Sequence, residues 1–171
     1  VLLSCLKVFD EIVVIDNNSS DNTMAVVSSV RDIKPSFAER IKAFTYPYDI
    51  ARCGQENYEC PENSVHSLAF FYNYCLSLCE FSHVFKWDGD MILPDHMVDS
   101  FQSFKNRLFK KDALCTPLST VFGVPLGITV FRGHNGKNYF KASEVEAEPR
   151  LFENRSDVRF VKDILWERLF S

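Results

Sequence analysis

Glu11-Ile12-Val13-Val14-Ile15 is a short β-branched run, apolar at successive positions rather than alternating. That pattern fits a strand buried on both faces of a parallel sheet. It predicts a strand that ends in the polar segment Asp16-Asn17-Asn18-Ser19-Ser20-Asp21-Asn22-Thr23. Before it, Leu2 to Phe9 reads as the end of an amphipathic helix. After it, Asp21 or Ser20 is placed to cap a helix from Thr23 to about Arg31. Ile41 to Tyr46 is a second strand. Pro47 to Asn63, bounded by two prolines, is irregular. Val65 to Glu80 is a helix rich in Leu, Phe, Tyr and Cys, and Val84 to Trp87 a third strand. Pro94 to Phe109 is a helix beginning at Pro94 or Asp95, because Pro suits a first turn. Ala113 to Phe122 and Gly127 to Phe131 are strand candidates, and Arg132 to Gly136 is a turn. A last helix is expected from Val161 to Phe170.

Strands alternate with helices over the first 110 residues or so, which argues for an α/β domain with a mainly parallel sheet. Ligands in such sheets sit at the carboxyl ends of the strands. Two acidic clusters fall there. Asp16 ends the first strand. Asp88-Gly89-Asp90 follows the third, in His83-Val84-Phe85-Lys86-Trp87-Asp88-Gly89-Asp90-Met91. Side chains two apart on an extended segment point the same way. Two converging carboxylates suit a divalent cation, which binds hard oxygen ligands and can neutralise a diphosphate. The same letters also suit a plain Asp-Gly turn. Likewise Asp16 is fit to accept hydrogen bonds from a base N–H or a ribose hydroxyl, with Asn18 adding a donor contact. It also fits an Asx-rich turn that caps a helix.

Composition sets the bounds. With 171 residues the chain is one domain or most of one, large enough for a substantial core. A 46% hydrophobic and 25% charged content is ordinary for a globular protein, and 16 Phe predict an aromatic core. A net charge of −4 disfavours a general nucleic-acid surface. No apolar run reaches the roughly 18 residues of a membrane-spanning helix. No basic region precedes Val1-Leu2-Leu3, so no secretory signal is read there. The six Cys have no paired metal-ligand spacing; they read as small buried hydrophobes in a reducing compartment, with Cys75 and Cys79 on one helix face. Together these give a cytoplasmic expectation, with association at a membrane surface left open.

Glu11 to Thr23 resembles the nucleotide-binding segment of family-2-type glycosyltransferases, written E-I-V-V-V-D-x-x-S-x-D-x-T. Asp88-Gly89-Asp90 then resembles their D-x-D motif. Asn73, in Phe71-Tyr72-Asn73-Tyr74-Cys75, resembles a helix position that is usually Arg-Asn. Pro149-Arg150-Leu151-Phe152 resembles an R-L-F segment, and Ile164 to Leu169 that branch's terminal His-Glu segment. The resemblance spans nearly the whole chain.

It implies a GT-A fold, Rossmann-like and three-layered (α/β/α). A donor-binding half would cover 1–93 and an acceptor-side half 94–171. It implies transfer of a sugar, with inversion as is usual for this branch, from a nucleotide-diphosphate donor (UDP- or GDP-sugar) to a carbohydrate, lipid or protein acceptor. Asp16, Asn18, Asn73 and Asp88 would contact the donor. Asp90 with Asp88 would hold Mn²⁺ or Mg²⁺. A carboxylate base must reach the acceptor hydroxyl; Glu148, then Glu146, in the run Glu144 to Glu148, are the candidates. The family opens with a strand that has no room before Val1, so that first strand is expected to be missing, and the chain to be either an N-terminal truncation or a weaker binder of donor. Tyr72 replaces the usual Arg, and Trp166 the usual His, for which His134 is a stand-in. Lys86 reads as a solvent-facing strand-edge Lys or a phosphate contact, and Arg52 as a weaker phosphate candidate. Two rivals remain: a nucleotidyltransferase, and a non-catalytic or degenerate nucleotide-sugar-binding module.

Overall fold

The computed structural model describes residues 1–108 and 151–170. Strand candidates within 113–131, the turn at 132–136, His134, Glu146 and Glu148 lie outside them.

β1 (Ile12–Asp16) pairs in parallel with β2 (Ile41–Thr45), in register from Ile12 opposite Ile41 to Asp16 opposite Thr45. A parallel pair needs a crossover. α2 (Thr23–Ile33) and a 3₁₀ turn, Pro35–Arg40, supply it. Ile12 and Val14, two apart, lie on one face against Val27 and Val30 of α2, Leu6 and Ile41. Leu6 follows α1 (Leu2–Cys5), which is shorter than the expected helix to Phe9.

The segment expected to be irregular contains a short helix, α3 (Gln55–Glu59). α4 (Leu68–Ser77) begins at Ser67, whose hydroxyl accepts from Phe70 N at 3.5 Å. β3 (His83–Phe85) pairs antiparallel with β4 (Leu151–Glu153), Val84 opposite Phe152. Pro94 precedes a 3₁₀ turn, Asp95–Met97, which leads into α5 (Val98–Leu108).

The C-terminal helix is a correction. β5 (Arg159–Lys162) and β6 (Glu167–Phe170) form an antiparallel hairpin instead. Val161, Ile164, Leu165 and Leu169 mimic helical spacing. The burial period is two, however: Phe160 and Leu169 are cross-strand partners, and both pack on Ala69, Phe152 and Val158. Burying a Phe or Leu side chain stabilises by about 1.5–3 kcal/mol, more than helix propensity over a few residues provides.

Two layers of side chains follow. Val84 and Phe152 face α4, through Ala69, Tyr72 and Leu76. Phe85 and Trp87 face the other way, toward Val8, Phe9, Met97 and Phe101. Phe9 makes ring contacts with Phe85, Trp87 and Phe101 at 5.4–5.6 Å, so the aromatic core expected from composition is centred here. Among the described residues, strand pairing takes the form of three two-stranded sheets, and only β1–β2 is parallel. No helix among them is long and apolar enough to cross a membrane.

Candidate functional site

α4 orients the site. Just before its N-terminal end, Val65 O accepts from the hydroxyl of Tyr46, which follows β2, at 2.6 Å, and the Tyr46 ring packs against Phe71 and Tyr74, each at 5.0 Å. Tyr46 N also donates to Asp16 O at 2.7 Å. Past the other end of α4, Glu80 N donates to Glu11 Oε1 at 3.1 Å, and Lys42 bridges Glu11 and Glu80. α4 therefore runs antiparallel to β1. β3 obeys the same rule: Lys86 reaches Tyr72, while Asn154 ties Cys79 O and Ser82 O at the start of the strand. β1 and β3 thus run the same way, and Asp16 and Asp88 both leave their strands beside the N-terminal half of α4.

Asp16 is 7% exposed. Its Oδ2 accepts from Ser19 N at 3.3 Å, and its Oδ1 is buried with no hydrogen-bond partner. A buried carboxylate oxygen without a donor costs free energy that a ligand N–H or O–H would recover. Asn18 has φ 54°, the left-handed region that Asn tolerates better than most residues. Asn17 Nδ2 donates to Tyr48 O at 2.6 Å and fastens this turn to the segment after β2. The helix N-cap is Asn22, not the expected Asp21 or Ser20, and its side chain makes no capping bond; Asp21, one residue earlier, accepts from Thr23 N through Oδ1 at 2.9 Å, a bond that holds its carboxyl below the usual range.

Strand β3 stops at Phe85, two residues short of expectation, so Asp88 to Asp90 lie in the turn beyond it. Asp88 is half-buried and Asp90 exposed. Asp88 O accepts from Met91 N at 3.1 Å, and Trp87 Nε1 donates to Met91 O at 2.9 Å, closing the turn. The plain-turn reading of Asp-Gly is thereby met. Among the described residues no group of three or more His, Cys, Asp or Glu could hold a metal ion. Two carboxylates suffice where substrate phosphates complete the shell, the usual arrangement for Mg²⁺.

Lys86 is not the solvent-facing residue that its place beside Trp87 suggested. Its side chain is 13% exposed; its ammonium lies 4.3 Å from the Tyr72 ring centroid and 3.6 Å from Glu167 Oε1. Val84, Lys86 and Asp88 alternate onto the α4 side, so the period-two rule was the available signal. Burial pushes the Tyr72 hydroxyl up, with Lys86 opposing and Asp88 reinforcing. Tyr72, Lys86 and Glu167 form a half-buried polar cluster beside Asp88 that the sequence did not reveal, because Glu167 belongs to the hairpin mistaken for a helix.

Asn73 is engaged structurally. Its Nδ2 donates to Phe160 O, and its Oδ1 accepts from Phe160 N, both at 2.8 Å. Trp166 is exposed, and its carbonyl accepts from Asp163 N at 2.7 Å and from Asn57 Nδ2 at 3.1 Å. Arg52 is exposed, its backbone N bonded to Glu56. Burial raises the Cys75 and Cys79 thiols to about 12 and about 11. They are unsuited to be nucleophiles at neutral pH.

Comparison with protein-family models, with curated proteins and with solved structures gave no match in any of the three.

Proposed function

We propose that this chain transfers a sugar from a nucleotide-diphosphate donor to an acceptor hydroxyl on a GT-A-like α/β domain. The observation that carries the reading is the pairing of two acidic positions at corresponding strand ends: Asp16, with a buried oxygen lacking a donor, and Asp88-Gly89-Asp90 in the turn after β3. In this reading Asp16 accepts a hydrogen bond from the nucleoside, and Asn18 adds a contact from its left-handed turn. Asp90 and Asp88 hold a divalent cation, Mn²⁺ or Mg²⁺, which when bound supplies Lewis-acid neutralisation of the leaving diphosphate. Glu148, or failing it Glu146, takes the acceptor hydroxyl proton as the new glycosidic bond forms and the sugar–phosphate bond breaks. Asn73 serves here by positioning α4 rather than by touching donor.

The test is product analysis with UDP- and GDP-sugars and Mn²⁺. Release of nucleoside diphosphate, lost in Asp90→Asn, supports the proposal. Release of pyrophosphate would make the chain a nucleotidyltransferase. A binding module without turnover is the second reading; the buried Asp16 oxygen that lacks a donor would be satisfied by binding alone. Donor binding with no product would establish it.

A further inference from the structure

Lys86 carries a charge that the fold has largely withdrawn from water. Its ammonium lies 4.3 Å from the Tyr72 ring centroid and 3.6 Å from Glu167 Oε1. A hydrogen bond from nitrogen to oxygen closes at about 2.7–3.2 Å. Lys7, Lys42 and Lys105 meet their carboxylates at 2.5–3.1 Å. Glu167 thus balances Lys86 electrostatically without gripping it. The Tyr72 ring face attracts the ammonium and leaves its charge uncancelled.

The C-terminal hairpin has other fasteners. Asn73 holds both backbone groups of Phe160, and Asn57 Nδ2 donates to Trp166 O. Lys162 Nζ donates to Tyr58 O at 2.9 Å and to Cys60 O at 2.6 Å. Holding two desolvated charges at a point already fixed costs free energy. The placement of the ammonium gives it a use. Lys86 and Asp88 stand on the same side of the segment after β3, with Cα atoms about 7 Å apart. Tyr72, Lys86 and Asp88 line one cavity. Among the described residues the other cation lining it is Lys105, which is tied to Asp10, before the start of β1 and away from Asp88. A divalent cation would cancel the charges of Asp88 and Asp90. A diphosphate then brings negative charge that this cation no longer balances, and Lys86 is the nearby group able to meet it.

We infer that Lys86 is a diphosphate-contacting cation of the proposed site and that Glu167 gates it: without donor, Glu167 holds the ammonium beside Tyr72, and on binding the ammonium turns to a phosphate oxygen. Lysine suits this exchange, being a point charge with three donors on a flexible stem. The inference rests on the nucleotide-sugar reading and adds a brake to it, because donor competes with Glu167 for Lys86. Glu167 acts through Lys86 and is a positioning residue. Glu167→Gln therefore leaves a desolvated ammonium short of a counter-charge, which bound phosphate supplies.

The test uses the 171-residue chain with Mn²⁺, at a temperature where circular dichroism shows each variant folded. UDP and GDP are titrated by calorimetry. Uridine and guanosine, which lack phosphate, are titrated by ligand-observed NMR, which reads weak binding. Glu167→Gln should tighten diphosphate binding about threefold or more. The double variant Lys86→Met with Glu167→Gln, which strands no charge, should weaken it roughly tenfold relative to the natural chain. Nucleoside affinity should stay within about twofold in both. The double variant carries the test of Lys86 even where Glu167→Gln alone does not fold. A merely structural pair would instead weaken nucleoside and diphosphate alike in both variants, and that result would overturn the inference. Diphosphate affinity unchanged in the double variant, or not raised in Glu167→Gln, would overturn it too while leaving the site at Asp16 and Asp90 standing. No binding of any nucleotide to the natural chain would overturn the site and the inference together.

Discussion

Asn73 and Phe160 exchange two hydrogen bonds of 2.8 Å, one in each direction, across 87 residues of sequence. The Asn side chain imitates a strand's backbone and fastens the C-terminal hairpin to α4. Phe160, 4% exposed, is the ring that α4 and Phe152 enclose.

Replacing Asn73 with Ala therefore leaves a buried N–H and C=O of β5 without partners. Each unsatisfied group costs roughly 1–3 kcal/mol. The expected loss is about 2–4 kcal/mol, read as a lower urea midpoint with an unchanged slope. Asn73→Asp should lose nearly as much, since it keeps the acceptor and removes the donor. A loss below about 0.5 kcal/mol in both would show that the hairpin does not depend on this latch.

Lys86 and Glu167 make a second testable pair, at 13% and 10% side-chain exposure. Removing one partner strands a desolvated charge, whereas removing both does not. Lys86→Met alone should cost on the order of 3 kcal/mol, and the double variant with Glu167→Gln should recover a good part of that. Additive losses in the denaturation cycle would mean that the two charges are not coupled.

A pH effect follows from the thiols. Burial raises Cys75 to about 12 and Cys79 to about 11, from 9.0. In the unfolded chain both ionise near 9, so above that pH the unfolded state releases protons that the folded state retains. Their contribution is complete below pH 9 and is lost as pH rises through 11 to 12. The melting temperature should fall over that window, and Cys75→Ala with Cys79→Ala should flatten the fall. At pH 8, iodoacetamide should modify the exposed Cys53 well before Cys75. Equal rates would contradict the burial argument.

The parts of this fold readable from sequence are those in which local pattern and tertiary environment agree. The unbroken β-branched run made β1, the Asx-rich segment made the turn carrying Asn18, and Ser67 capped α4 inside the expected helix. The failures share a cause. Val161 to Phe170 has helical spacing, but long-range packing of Phe160 and Leu169 chose strands. Lys86 looked solvated because its partner Glu167 lies 81 positions away, in that same misread segment. Asp88 and Asp90 could be assigned to the end of β3, but their different exposures could not.

Asp16 yields a more local expectation. Asp16→Ala removes the buried oxygen that lacks a donor along with the acceptor of Ser19 N. Stability should change by less than about 1 kcal/mol, because the lost hydrogen bond and the relieved desolvation oppose each other. Nucleoside diphosphate affinity should fall by roughly tenfold or more, the loss expected when one hydrogen bond to a charged group is removed. Calorimetric titration checks both halves. Unchanged affinity would remove Asp16 from the site.

Asp16 and the Asp88-Gly89-Asp90 turn are proposed to form one nucleotide–metal site. The most direct measurement is a thermal-shift panel of UDP, GDP, CDP and dTDP, each with and without Mn²⁺, on the natural chain and on Asp90→Asn. A ligand that binds the folded state alone raises the melting point by mass action. Asp90 is exposed, so the variant should melt like the natural chain without ligand. A Mn²⁺-dependent rise is expected for one nucleotide, absent in Asp90→Asn. A rise that persists in the variant, or none with any nucleotide, would contradict this.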